Sequence, residues 1–117
     1  MMKNYIVMVV GFMMAGCVQL QPPIATESQA WQDFGQAWAL KGYVIKSDNE
    51  LKEDSPPLTS AQYKAYQVGY QAGKDEYCQQ DPFVMGLNGR IYYGICNDVN
   101  RRFSEEYNRG KQSRAKR

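Results

Sequence analysis

The stretch LTSAQYKAYQVGYQAGKDEYC, residues 58–78, decides the fold. Thr59 is placed to cap a helix while Gln62 reaches back in a capping box, and Leu58 can pack on Tyr63 as a hydrophobic staple. At a helical period Tyr63, Tyr66, Tyr70 and Tyr77 fall on one face with Gly69 and Gly73 beside them. Ala61, Ala65, Val68 and Ala72 form a second apolar strip, which leaves only Lys64, Gln67, Gln71 and Lys74 for water. The pattern predicts a central helix touched on two sides. Each glycine costs about 1 kcal/mol of helix stability relative to alanine, so both need a packing reason, such as a second backbone lying close.

Upstream, Trp31, Phe34 and Trp38 at i, i+3 and i+7 predict a short amphipathic helix from about Gln29, with Gly42 at its stop. The polar, acid-rich segment Lys46 to Pro57 reads as a connecting loop. Downstream, Asn88-Gly89 is a tight-turn signal inside Phe83 to Ile95, which reads as a small β-hairpin or a glycine-rich loop. A final helix is expected to start near Asn97 or Asp98, with Val99, Phe103, Tyr107 and Gly110 on one face and Glu105 paired with Arg109. From Lys111 onward the chain reads as a frayed basic tail.

With 117 residues, 44% hydrophobic and 22% charged, the chain has room for one globular domain and no second. A net charge of +2, with acids and bases spread along most of the chain, gives no nucleic-acid footprint. There is no histidine, which removes the usual general base, the usual metal ligand and the common nucleophile pairs. No catalytic residue, metal site or cofactor is therefore expected. Asp33, Asp75, Glu76 and Asp81 could supply a glycosidase-like acid/base pair, but nothing in the sequence fixes their spacing. Seven of the fourteen Lys and Arg residues fall in the last seventeen positions: Arg101, Arg102, Arg109, Lys111, Arg114, Lys116 and Arg117. They read as a solvated end or as a contact for anionic lipid or cell-wall polymer.

At the N-terminus, Lys3 precedes an almost unbroken apolar run from Tyr5 to Met14, and Ala15-Gly16-Cys17 follows. This is the layout of a secretory signal, and the run is well short of the ~20 apolar residues that a membrane span requires. Met14-Ala15-Gly16-Cys17 resembles the lipobox of bacterial lipoproteins, which more often carry Leu where this chain has Met14. The resemblance implies that residues 1–16 are removed and that Cys17 is acylated and holds the chain to membrane lipid. It also implies an outer-membrane position facing the periplasm, because Val18 and not Asp follows Cys17. Residues 17–28, with Gln19, Gln21, Pro22 and Pro23, then read as a lipidated tether, 29–112 as the globular domain and 113–117 as the basic tail. With Cys17 assigned to lipid, Cys78 and Cys96 are left as a disulfide pair, stabilising the fold by about 3 kcal/mol in the chain-entropy model. Two thiols without histidine lack the ligand count of a structural zinc centre. The expected fold class is mainly α, with about three short amphipathic helices and a Gly-rich loop or small β-hairpin closed by one disulfide.

Trp31 with Gly35 and Gly42, Tyr66-x-x-Gly69-Tyr70-x-x-Gly73-x-x-x-Tyr77-Cys78, Gly86-x-x-Gly89-x-x-Tyr92-x-Gly94-x-Cys96 and Phe103-x-x-x-Tyr107-x-x-Gly110 together resemble a proteobacterial family of small lipoproteins classed only as a domain of unknown function. The likeness covers most of the mature chain. This chain departs from it at Trp38-Ala39, where the resemblance would place an Asp-Gly pair. What the family implies is an envelope location and a fold, not an activity. The tyrosines Tyr63, Tyr66, Tyr70 and Tyr77 read either as packing groups or as a candidate binding surface for glycan rings or a partner protein. The expected function is a non-catalytic binding or scaffolding lipoprotein acting on an envelope protein or cell-wall polymer. The alternatives are an inhibitor or immunity-type lipoprotein and a cell-wall-acting enzyme.

Overall fold

The structure, a computed structural model, describes residues 20–24, 27–54 and 58–116. The signal segment 1–16, the expected lipidation site Cys17 and the terminal Arg117 lie outside the described residues. Five helices are present: α1 (Ser28–Leu40), α2 (Asp48–Asp54), α3 (Ser60–Tyr77), α4 (Pro82–Leu87) and α5 (Phe103–Ala115). There is no strand among the described residues, and no helix there is long and apolar enough to cross a membrane. The mainly helical class holds, and Cys78 and Cys96 form the disulfide, with Cα atoms 5.6 Å apart.

α3 starts as its sequence predicts. Thr59 Oγ1 accepts from the Gln62 amide at 3.1 Å, and Gln62 Oε1 accepts from the Thr59 amide at 2.8 Å, so two otherwise orphaned donors are satisfied. Leu58 is buried beside this cap. α1 stops at Gly42, whose φ of +78° turns the chain while its amide donates to Ala39 O at 2.8 Å. α1 and α3 pack as one pair and α4 and α5 as a second. The first pair encloses Trp31, Phe34, Leu51, Leu58 and Tyr66, and the second, with the disulfide loop and the end of α3, encloses Tyr77, Met85, Ile95, Cys96, Phe103 and Tyr107.

The glycines supply the packing reason their cost demands. A Cβ on Gly35 would collide with the Tyr66 carbonyl, one on Gly69 with the Gln32 carbonyl and one on Gly73 with the Gln36 carbonyl, so α1 and α3 touch backbone to backbone. Ala39, where the family resemblance would place glycine, is fully buried against Gly73. α3 is covered mainly along this face: Val68 is 51% exposed and Ala61 and Ala72 are exposed with it, while Ala65 is partly buried against the first core. The expectation of contact on two sides is corrected, because α1 is its one long helical neighbour.

Five further expectations are corrected. The segment 46–57 is not all loop, since Ser47 and Glu50 form a cap in which the Glu50 amide bonds Ser47 Oγ at 3.3 Å and the Ser47 amide bonds Glu50 Oε1 at 3.2 Å. That cap launches α2 and carries Leu51 into the first core at 0% exposure. Phe83–Ile95 is no hairpin: Asp81 Oδ1 caps the Phe83 amide at 2.9 Å, Pro82 opens α4, and Asn88-Gly89 ends it with Gly89 at φ +71°. The last helix begins at Phe103, not Asn97, because residues 94–102 are held in successive tight turns, and Val99 is left 58% exposed. Arg109 pairs with Glu106 at 2.8 Å and not with Glu105. α5 continues past Lys111 to Ala115, so the basic end is helical through most of its length.

Candidate functional site

Where the two helix pairs meet, a cleft of about 640 Å³ opens between three short stretches: Leu40 to Tyr43 after α1, Glu76 to Gln80 at the end of α3, and Arg90 to Tyr93 after α4. The first wall is set by Gly42, which lies so close to Tyr77 that a Cβ there would sit 2.6 Å from the phenol oxygen. Tyr43 follows and is fixed against Trp38, with ring centres 4.6 Å apart, while Trp38 Nε1 donates to Val44 O at 2.8 Å. The third wall is set from behind. Tyr92 turns inward onto Phe103, with ring centres 4.9 Å apart, so its neighbours Ile91 and Tyr93 face out and are 70% and 50% exposed. The Tyr107 hydroxyl donates to Arg90 O, and the Arg90 guanidinium donates to Gln80 Oε1 at 2.7 Å. Tyr43 and Tyr93 approach across the gap, with ring centres 5.8 Å apart.

Tyr77 lies deepest in the cleft. It is 7% exposed, the most buried of the residues that line the cleft. Burial pushes its ionisation up, with the Arg90 charge pulling the other way, so the group is a neutral phenol able both to donate and to accept. Leu40, Ile91 and the tyrosines supply apolar surface around it, and Lys41, Glu76, Gln80 and Arg90 supply polar groups at the edges.

The four tyrosines singled out in α3 do not form a surface. Tyr66, Tyr70 and Tyr77 are buried and Tyr63 is half-buried, a correction that follows from α1 packing on the face they share with the glycines. Their hydroxyls instead hold the segment after α1. Tyr66 accepts from the Lys46 amide at 3.1 Å, Tyr70 donates to Tyr43 O at 2.8 Å and Tyr63 donates to Lys46 O at 3.4 Å. Burial raises the Tyr66 pKa to about 12 and raises that of Tyr70 as well. Of the four, only Tyr77 reaches the cleft.

The carboxylates are dispersed in separate local roles. Asp33 accepts from Gln29 and Asp75 from Gln71, each at 2.8 Å, Asp81 caps α4, and Glu76 alone lines the cleft. Among the described residues no three His, Cys, Asp or Glu side chains gather in a way that could hold a metal. Sequence reasoning missed Tyr43, Arg90, Ile91 and Tyr93, which sit in irregular chain without periodicity. Their local signals were the glycines Gly42, Gly89 and Gly94, all at positive φ, which set the turns beside them.

A family model described as "Protein of unknown function (DUF2799)" matches residues 30–112, more than half of the 117-residue chain. No curated protein and no solved structure matches it.

Proposed function

We propose, since this chain belongs to the DUF2799 family, that it is a non-catalytic binding module, held at the cell envelope by lipid on Cys17 and offering the cleft between its helix pairs to a partner protein. The observation that carries the reading is the cleft's aromatic and aliphatic lining: Tyr43 and Tyr93, with ring centres 5.8 Å apart, and the exposed Leu40 and Ile91 around the largely buried Tyr77. Such sites combine apolar contact area with a few placed polar groups. Tyrosines at the rim give large rigid contact area at low entropic cost, which suits a protein surface.

The test is in-cell photo-crosslinking from Leu40 or Tyr93, which line this cleft, against Gln67 on the open face of α3. The expected result is one protein attached from the cleft positions and not from Gln67. Equal labelling from both faces, or none from the cleft, overturns the reading. A tightly held soluble hydrolase as the product would identify the inhibitor alternative, and loss of cell-wall turnover in Glu76→Gln would restore the enzyme alternative. The anchor is tested separately: Cys17→Ser is expected to leave the membrane fraction, and its retention there would remove the lipid from the proposal.

A further inference from the structure

A second cleft, of about 550 Å³, lies between the end of α4 and the last turns of α5 and shares Arg90 and Ile91 with the first. Its charged lining residues are Arg90, Lys111 and Arg114, and no carboxylate lines it. The ion pairs among the described residues lie elsewhere, at Lys52–Asp48, Lys74–Asp98 and Arg109–Glu106. Three cationic residues therefore line one cleft whose lining holds no carboxylate, an arrangement that concentrates positive potential there.

Each of the three is already oriented by an uncharged contact. Arg90 donates to Gln80 at 2.7 Å, and the Lys111 ammonium lies 5.6 Å from the centre of the Tyr107 ring. The Arg114 guanidinium crosses Gly89, where the missing Cβ leaves it room, and reaches Leu87 O at 3.5 Å. These contacts use few of the five N–H groups on each arginine and none of the three on the lysine, so the remainder are free for an oxyanion. Guanidinium forks match phosphate oxygens in two-point contacts, and the lysine adds a point charge. The cleft is larger than one phosphate group, and Ile91, 70% exposed, gives it an apolar side.

We infer that this cleft binds a phosphate ester, its phosphate held by Arg90, Lys111 and Arg114 and its organic substituent lying against Ile91. The inference shares Arg90 and Ile91 with the first cleft but does not require a protein there, since Lys111 and Arg114 line the second cleft alone.

The test titrates the isotope-labelled full chain in neutral detergent with glycerol phosphate, short-chain phosphatidylglycerol and a glutamate-rich peptide in turn, following side-chain NMR signals. Both phosphate ligands are expected to shift the Arg90, Lys111 and Arg114 signals. Lys111→Gln and Arg90→Gln should each weaken binding about tenfold, as expected for loss of one charge-assisted contact. Arg101→Gln, outside the cleft, is expected to bind as the unsubstituted chain does. Phosphatidylglycerol binding at least about tenfold tighter than glycerol phosphate assigns the source to a lipid headgroup, and equal affinity assigns it to a soluble ester. The inference is overturned if neither phosphate shifts these signals, if Lys111→Gln binds normally, or if only the acidic peptide binds.

Discussion

Gly35 and Gly69 bring α1 and α3 together in the same way that Gly86 and Gly110 bring α4 and α5 together. In both pairs a Cβ on the first glycine would strike the backbone of a tyrosine and of the residue four further on: Tyr66 and Tyr70 in one, Tyr107 and Lys111 in the other. In both, the second glycine follows that tyrosine by three positions and faces backbone three positions before the first glycine, at Gln32 or Phe83. Each of these tyrosines also bonds a loop backbone group through its hydroxyl, Tyr66 at Lys46 and Tyr107 at Arg90. What differs is the means of closure. α1 and α3 have 13 and 18 residues and are strapped by Leu51 and Leu58, whereas α4 has six. Six residues extend about 9 Å, less than two turns, and such a helix depends on what surrounds it. The covalent bond from Cys78 to Cys96 lies in the half with the short helix.

The largest effect is expected from placing a side chain at a glycine contact. Gly69→Val and Gly110→Val should each lose about 3 kcal/mol in urea unfolding, because the obstruction is backbone that cannot rotate aside. In hydrogen exchange Gly110→Val should expose α4 and α5 while α1 and α3 keep their protection. Simultaneous loss everywhere would show that the two halves unfold as one unit. Reducing the disulfide, or Cys78→Ala, should cost about 3 kcal/mol with the same regional bias, and equal melting of oxidised and reduced protein would contradict it.

Tyr66→Phe should cost about 1 kcal/mol, since it removes the hydroxyl that accepts from the Lys46 amide. The same residue sets an alkaline limit. Its folded pKa of about 12 lies above the ordinary tyrosine value, so the fold favours the protonated phenol. Stability from this group is whole below about pH 10 and is lost as pH rises toward 12. Tyrosinate absorbance during unfolding at stepped pH checks this, and Tyr66→Phe should flatten the decline. The smallest effect belongs to the link from α3 to the disulfide loop. Lys74 donates to exposed Asp98 at 2.7 Å and holds its carboxyl below the usual value, a contribution present at neutral pH and lost as acid protonates Asp98. Lys74→Gln should move the Asp98 titration upward in NMR while hardly changing the melting temperature.

Much of the fold was legible where the determinants are local. Thr59 and Gln62 specify the start of α3, Gly42 specifies the end of α1, and the count of three cysteines leaves one sensible pair. α2 and α4 were equally local but quieter, in Ser47-x-x-Glu50 before Leu51 and in Asp81-Pro82. Asn88-Gly89 misled because the same dipeptide serves a hairpin turn and a helix stop, and only the preceding Asp81-Pro82 cap distinguishes them here. The side of α3 that is covered was not legible, since its tyrosine strip and its Ala61, Val68 and Ala72 strip are both apolar and only the glycines mark which one meets another backbone. The cleft was least legible. Tyr43, Arg90 and Tyr93 come together through three positive-φ glycines and a disulfide, none of which imposes a periodic pattern on the residues they gather.

Every buried residue of the first core precedes Cys78, which itself caps the end of α3. For a chain synthesised from its N-terminus, that core can nucleate before Cys96 exists and without any oxidant. Cys78 is then presented on a finished helix, and the search for its partner is confined to the motions of the residues that follow. The order of residues along the chain thus allows oxidation to come last, completing the α4–α5 half on the first core.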